Sequence, residues 1–316
     1  MKILFTSVGR RVELIQAFHN AATKNDIDLK IYGADMSLDA PALYYCDEKI
    51  QVPKINSDSY ITTLFDVCRD NEIDALIPTI DTDLRILSDN KSKFKEIGTN
   101  MIISDRHKIE VCRDKRRTAE LFESVGLKSP KPVDDINNYN GGYPAFIKPK
   151  DGSSSIFAYK VEDENELKMY SQQVPDYIIQ PFIEGIEYTV DILCDFEGNP
   201  IFITPRIRIA VRSGEVLKTE IKQDEKIISE MKRFLNEYKP CGPITVQLIR
   251  DNETQDDYYI EINPRFGGGV PLSIKAGADS AEAVLKLIDN KSMEYKELAA
   301  EDGAVYSRFD QSIRVK

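Results

Sequence analysis

The chain has 316 residues, of which 41% are hydrophobic and 30% charged, and a formal net charge of -11. That length exceeds what one hydrophobic core organises, so two or three subdomains are expected, and the acidic balance excludes a broad basic surface for nucleic acid, which needs clustered Lys and Arg. No apolar run is long enough for a bilayer, and MKILFTSVGRRVEL becomes charged too early for a signal peptide, so a cytoplasmic protein with no membrane partner is expected.

The first hundred residues alternate strand and helix. KILFTSV (2–8) is an apolar run, RRVELIQAFHNAA reads as a helix, and LKIYGAD (29–35), DEKIQVP and DALIPTI (74–80) continue the strand series. SDSYITTLFDVCRDN between the last two reads as a helix with a Ser or Asp cap. Such repetition predicts a parallel sheet with helices on both faces, whose ligands lie at the carboxyl ends of the strands. The loop SVGRR holds only Gly9 of a dinucleotide fingerprint, so Gly9 reads as a tight turn and Arg10 and Arg11 as helix-start cations. Asp35, Pro78, Asp81 and Asp83 sit at strand ends, Asp35 as a turn residue or a ribose contact.

From Ser104 a short helix precedes a longer one over about 114–125, with Gly126 as its C-cap and Lys115 in its first turn. A cation there opposes the helix dipole and calls for a further anion. PAFIKPKDGSSSIFAYKVED reads as strand, loop, strand: Lys148 and Lys150 share one face, and the DGSSS loop, with Ser153 and Ser154, either folds over phosphate oxygens or is a polar hairpin loop. After a helix at DENELKMYSQQV, the connector Gln180-Pro181-Phe182-Ile183 joins two strands, either as a linker or as an adenine-binding hinge with Glu187 beyond it for ribose. In IFITPRIRIAVRSGEVLKTE, Arg206 and Arg208 share a face and Arg212 follows, which suits either a solvated hairpin or a site for an anionic substrate.

In YIEINPRFGGG, alternation turns Glu261 and Asn263 one way and Ile260 and Ile262 into a core. If ITVQLIRD pairs with that strand, Gln247 joins them. Three hard oxygen donors with Arg265 beyond suit Mg²⁺ carrying nucleotide phosphates, although a Glu and an Asn on an edge strand also read as a solvated face. Gly267 to Gly269 leave room for substrate at Gly268 or enter a helix at VPLSIKAGA. Five scattered cysteines and two histidines predict neither disulfides, zinc nor a Ser-His-Asp triad.

Lys115, Lys148 with its Ser/Gly loop, QPFIEGIEYTVD, Gln247 and EINPR follow in an order that resembles the ATP-grasp superfamily, in particular one ATP-binding half of a carbamoyl phosphate synthetase large chain. The resemblance implies an α/β and α+β fold: a parallel-sheet, nucleotide-fold-like leading domain (1–105), then a two-lobed ATP-grasp domain with small lobe 106–183 and large lobe 184–316. It implies that Lys115, Lys148, Ser153, Ser154, Gln180, Pro181, Phe182, Ile183 and Glu187 bind ATP. Gln247, Glu261 and Asn263 would hold one or two Mg²⁺ ions, with Mn²⁺ as the alternative, and Arg265 with Lys148 would serve catalysis. Arg206, Arg208, Arg212 and Gly268 are the candidate substrate contacts. The expected function is an ATP-dependent carboxylate-amine ligase acting through an acyl phosphate, with small-molecule carboxylate and amine partners and a homodimer as the candidate assembly. A kinase or carboxylase on the same fold, a dinucleotide oxidoreductase and a silent Mg-ATP-binding regulator are the alternatives. DGSSS has a single glycine, and NPRFGGG departs from the synthetase's double-arginine ending, so bicarbonate is not the expected substrate.

Overall fold

The computed structural model describes residues 1–152 and 156–315. In chain order the elements are β1 (Lys2–Thr6), α1 (Val12–Lys24), β2 (Lys30–Asp35), β3 (Glu48–Gln51), α2 (Tyr60–Asn71), β4 (Ala75–Pro78), α3 (Leu84–Asp89), α4 (Lys91–Glu96) and β5 (Asn100–Met101). The strands form an all-parallel sheet in the order β3-β2-β1-β4-β5. Central strands of such a sheet are covered on both faces, which is why Ile3, Leu4 and Phe5 form an unbroken apolar run and are all fully buried. On one face α1 contributes Leu14, Ile15, Phe18, Ala21 and Ala22, the spacing of a single helical stripe. On the other face lie Tyr60 and Leu64 of α2 and Phe94 of α4.

The helix over α2 matches the expectation except at its cap: Ser59 occupies the cap position without a side-chain bond to the helix, its hydroxyl pairing with that of Ser57. Strand β5 is only two residues long, too short to show as a periodicity.

Two helices follow, α5 (Arg106–Arg113) and α6 (Lys115–Ser124). Gly126 takes φ +74 just past α6 and, with Leu127, returns N–H bonds to Glu123 and Phe122, a left-handed turn that a side chain would strain. Next come β6 (Ala145–Pro149), β7 (Tyr159–Val161), α7 (Glu164–Ser171) and β8 (Tyr177–Pro181), a three-stranded sheet ordered β7-β6-β8.

The last part contains β9 (Gly185–Cys194), β10 (Pro200–Arg212), β11 (Glu215–Ile221), α8 (Glu225–Tyr238), β12 (Pro243–Asp251), β13 (Asp257–Asn263), α9 (Val270–Lys275), α10 (Ser280–Ile288) and β14 (Val305–Ser307). Six antiparallel strands form a sheet ordered β13-β12-β9-β10-β11-β14. Six buried residues of α8, Ile227 to Tyr238, pack on one of its faces. The aromatic chain Phe5, Phe18, Phe266 runs from β1 through α1 to the turn after β13, with ring centroids 5.0 and 5.9 Å apart. Each fully buried Phe contributes roughly 1.5–3 kcal/mol, so the end of β13 is fastened to the leading sheet through a shared core.

Candidate active site

The floor of the main cleft is the β12/β13 pair. Gln247 lies directly opposite Glu261, and Thr245 opposite Asn263, which brings the three oxygen-bearing side chains together on one wall of a cavity of about 680 Å³. One detail departs from simple alternation. The register slips between Gln247 and Leu248, whose partners are Glu261 and Tyr259, so Ile260 is the extra residue of a bulge. Ile260 therefore lines the cleft beside Glu261, while Tyr259 and Ile262 enter the core.

The roof is β6. Phe146 and Lys148 face the cavity, whereas Lys150, expected on the same face, lies past the end of the strand and pairs with Asp176 at 3.3 Å. At the start of α6, Asp114 accepts from the Arg116 N–H as the cap, and the buried Lys115 donates from Nζ to the Gly152 carbonyl at 3.0 Å. Burial, then the neighbouring Lys115, pushes Lys148 down to about 8, with Glu261 acting in the opposite direction. Two ammonium groups thus converge with one carboxylate, an arrangement that favours an anionic ligand. Ser153 and Ser154 lie outside the described residues.

The back wall is the connector from β8 to β9. Gln180 is buried, its amide donating to the Pro130 carbonyl, and the Phe182 N–H donates to Pro144 at 3.2 Å. Pro181, Phe182 and Ile183 line the cavity. The turn out of the connector passes so close to β12 that a Cβ on Gly185 would stand 2.0 Å from the Arg250 carbonyl oxygen. Glu187 follows on β9 and pairs with Arg208 at 3.1 Å. Burial lowers the Arg208 guanidinium, partly countered by Glu187.

Arg265 closes the far end. Its Nη2 donates to Asp81 Oδ2 at 2.7 Å and to Asn263 Oδ1 at 3.2 Å, so a loop of the leading sheet orients the arginine beside the oxygen patch. The strand-end position of Asp81 in the sequence was the signal for this. Asp35 serves its turn, accepting from Gly9 N–H at 2.9 Å and Ser37 N–H at 3.0 Å, and buried Asp83 accepts from Thr6, Ser7 and Tyr60 hydroxyls.

The candidate substrate residues separate. Arg206 is not a cavity residue and is corrected: it is 2% exposed and ion-paired to Asp191 at 2.8 Å, with Ser273 also donating to that carboxylate. It does share a face with Arg208, but α9 and the glycine turn close over it, a Cβ on Gly269 falling 2.3 Å from its Nη2. Arg208 faces the main cleft. Arg212 and Gly268 line a second cavity of about 550 Å³, with Arg212 paired to Asp310 at 3.1 Å. Arg11, which the sequence marks only as a helix-start cation, lines both cavities. Its position after the first strand of a parallel sheet was the available signal.

Gln247, Glu261 and Asn263 suit a divalent ion that also takes phosphate oxygens: one carboxylate and two amides, all oxygen donors, leave coordination positions for ligand and water. Among the described residues no cluster of three or more His, Cys, Asp or Glu could hold a metal.

The family described as ATP-grasp domain matches residues 112–269, and that described as PylC-like, N-terminal domain matches residues 3–102. The chain is 26% identical over 248 residues to a carbamoyl phosphate synthase large chain of Thermotoga petrophila, covering 69% of this chain but 22% of that protein. It thus spans about a fifth of the length of that relative. It is 25% identical over 304 residues to a 3-methyl-D-ornithine--L-lysine ligase of Methanosarcina acetivorans, covering 92% of this chain and 76% of that one. Among solved structures, the biotin carboxylase domain of Hydrogenobacter thermophilus 2-oxoglutarate carboxylase, in complex with MgADP, ADP and bicarbonate, superposes with TM-score 0.77 at 18% identity, over 96% of this chain and 73% of that one.

Proposed function

Because the chain belongs to the ATP-grasp superfamily, we propose that it is an ATP-dependent ligase that activates a small-molecule carboxylate as an acyl phosphate and joins it to an amine. The observation that carries the reading is the convergence of Lys115 and Lys148 with Gln247, Glu261 and Asn263 on one cleft. In this reading the triphosphate lies between roof and floor, gripped by Lys115 and Lys148. The adenine sits against Gln180, Pro181, Phe182 and Ile183, and Glu187 takes the ribose hydroxyls. Gln247, Glu261 and Asn263 on the floor would hold Mg²⁺, which would supply charge neutralisation for the phosphates. The division into 1–105, 106–183 and 184–316 belongs to the same proposal, the first part supplying loops to a cleft built by the other two.

Phosphoryl transfer asks a protein for positioning and charge neutralisation rather than for a nucleophile. A carboxylate oxygen of the acid attacks the γ-phosphorus, forming a C–O–P linkage and breaking the bond to ADP. Arg265, held by Asp81, faces the negative charge that builds on the transferred group. The amine nitrogen then attacks the acyl carbon, loses a proton, and expels phosphate. The relatedness to the ornithine–lysine ligase over most of both chains supports an amine as the second substrate.

Phosphate release from Mg-ATP, screened against carboxylates with and without amines, tests the proposal. Release that requires both partners supports it; release with an acid alone assigns a kinase, and release with an acid plus bicarbonate a carboxylase. Glu261→Gln is expected to abolish release and leave thermal unfolding unchanged; full activity in that variant removes the metal assignment.

A further inference from the structure

The second cavity lies among the loop after β1, the β10–β11 hairpin, the glycine turn after β13 and the segment that follows β14. Arg11, Ile80, Ser213 and Glu215 line both it and the main cleft, so the two spaces meet there. Four guanidinium groups line the second cavity, Arg10, Arg11, Arg212 and Arg308, against three carboxylates, Glu13, Glu215 and Asp310. All three carboxylates are already paired. Asp310 pairs with Arg10 at 3.4 Å and Arg212 at 3.1 Å, and Arg308 pairs with Glu13 and Glu215 at 3.4 Å each.

Arg11 is the cation left over. Among the described residues no carboxylate pairs with it, and its hydrogen bond runs from Nη2 to the Thr79 carbonyl at 3.3 Å. It sits where glycine makes room, since a Cβ on Gly268 would stand 2.8 Å from its Nη1. Burial, then Arg265, lowers its guanidinium to about 10, with Glu215 and Asp81 acting in the opposite direction, which keeps it cationic at neutral pH. A half-buried guanidinium that no carboxylate pairs with favours a ligand anion, and its planar fork matches a carboxylate.

We infer that the second cavity is the acceptor pocket, that Arg11 holds the carboxylate to be activated, and that the acid carries no second uncompensated negative charge. The inference rests on the main cleft being the ATP site, because the junction beside Arg11 then faces the γ-phosphate end. A sugar phosphate with two or more charges would need further unpaired cations, yet Asp191 takes Arg206 and Asp310 takes Arg212. Beyond the junction Val8, Leu14, Leu217, Pro271 and Phe309 line the cavity, so the body of the acid is apolar or internally balanced in charge.

Ligand-observed NMR on the full chain with MgADP tests this, using amino acids with uncharged side chains, 2-hydroxy acids and aliphatic monocarboxylates, with their primary amides and with sugar phosphates. At least one monocarboxylate is expected to bind and its amide not to. Arg11→Gln is expected to weaken the acid by about 10- to 100-fold, the value of a charge-assisted contact, with MgADP affinity unchanged, which also shows that the variant is folded. Failure of every acid to bind, preference for sugar phosphates, acid affinity indifferent to Arg11→Gln, or loss of MgADP affinity in the variant overturns the inference. Arg11-dependent acid binding without phosphate release from Mg-ATP in any acid and amine pair leaves the pocket standing and sinks the ligase reading instead.

Discussion

Lys148→Met should make the nucleotide-free protein more stable while crippling its hold on ATP. Burial and Lys115 move this ammonium from the ordinary lysine value of 10.5 to about 8, and each tenfold loss of proton affinity corresponds to about 1.4 kcal/mol. The full difference would be about 3 kcal/mol by that conversion. The side chain still borders an open cavity, so water there trims the penalty to about 1–3 kcal/mol. A lysine whose folded value lies below its unfolded one binds fewer protons when folded. The wild type therefore carries the whole penalty below pH 8 and gains stability as pH rises from about 8 towards 10.5. Methionine carries no such penalty at any pH, so the variant's advantage is expected at about pH 7 and should shrink towards about pH 10. Denaturant unfolding of both proteins without nucleotide at the two pH values reads this directly, and titration with MgADP and Mg-ATP should show about 10- to 100-fold weaker ATP binding in the variant. A variant less stable than wild type near neutral pH, or an advantage that does not narrow as pH rises, would refute the electrostatic account of the cleft.

Further outcomes follow from the packing. Asp191→Asn strands Arg206 in the interior with no compensating charge and should cost about 3–5 kcal/mol in denaturant unfolding; a loss under about 1 kcal/mol, the value of an exposed ion pair, would show that the pair is solvated. Gly185→Ala places a methyl 2.0 Å from the Arg250 carbonyl oxygen, so the backbone must move, with overpacking worth about 1–3 kcal/mol. Because that movement falls two residues from Ile183, ATP affinity should drop along with melting temperature, and a variant with both unchanged would contradict the close approach. For Glu261→Gln, a phosphate-release assay is expected to read no turnover with an unchanged unfolding transition.

The parallel sheet was legible because its central strands β1, β2 and β4 are apolar runs between helical segments, and Gly126 and Pro181 punctuate the chain where the backbone turns. The joint placement of Gln247, Glu261 and Asn263 was legible through strand periodicity together with the expected pairing of ITVQLIRD with the YIEIN strand. What escaped depended on contacts distant in sequence. The bulge at Ile260 is a property of the pairing with β12 and leaves no mark in β13 itself. Arg206 reads like Arg208 until α9, more than sixty residues later, covers one and not the other. Arg11 looks like any helix-start cation until the hairpin, the glycine turn and the segment after β14 surround it. Local chemistry named the elements, and only the tertiary closure decided which charges stay free.

The contact between Asp81 and Arg265 spans 184 positions in sequence and ties the loop after β4 to the turn that follows β13. Residues 1–105 are therefore more than a neighbouring module. A gene fusion that exchanged this segment for one of similar shape but different loops would alter both the aim of the arginine and the company of Arg11 in a single step. Descent of this architecture is expected to preserve the two halves as a matched pair, with divergence in acceptor choice written chiefly in the short loops that follow the first and fourth strands.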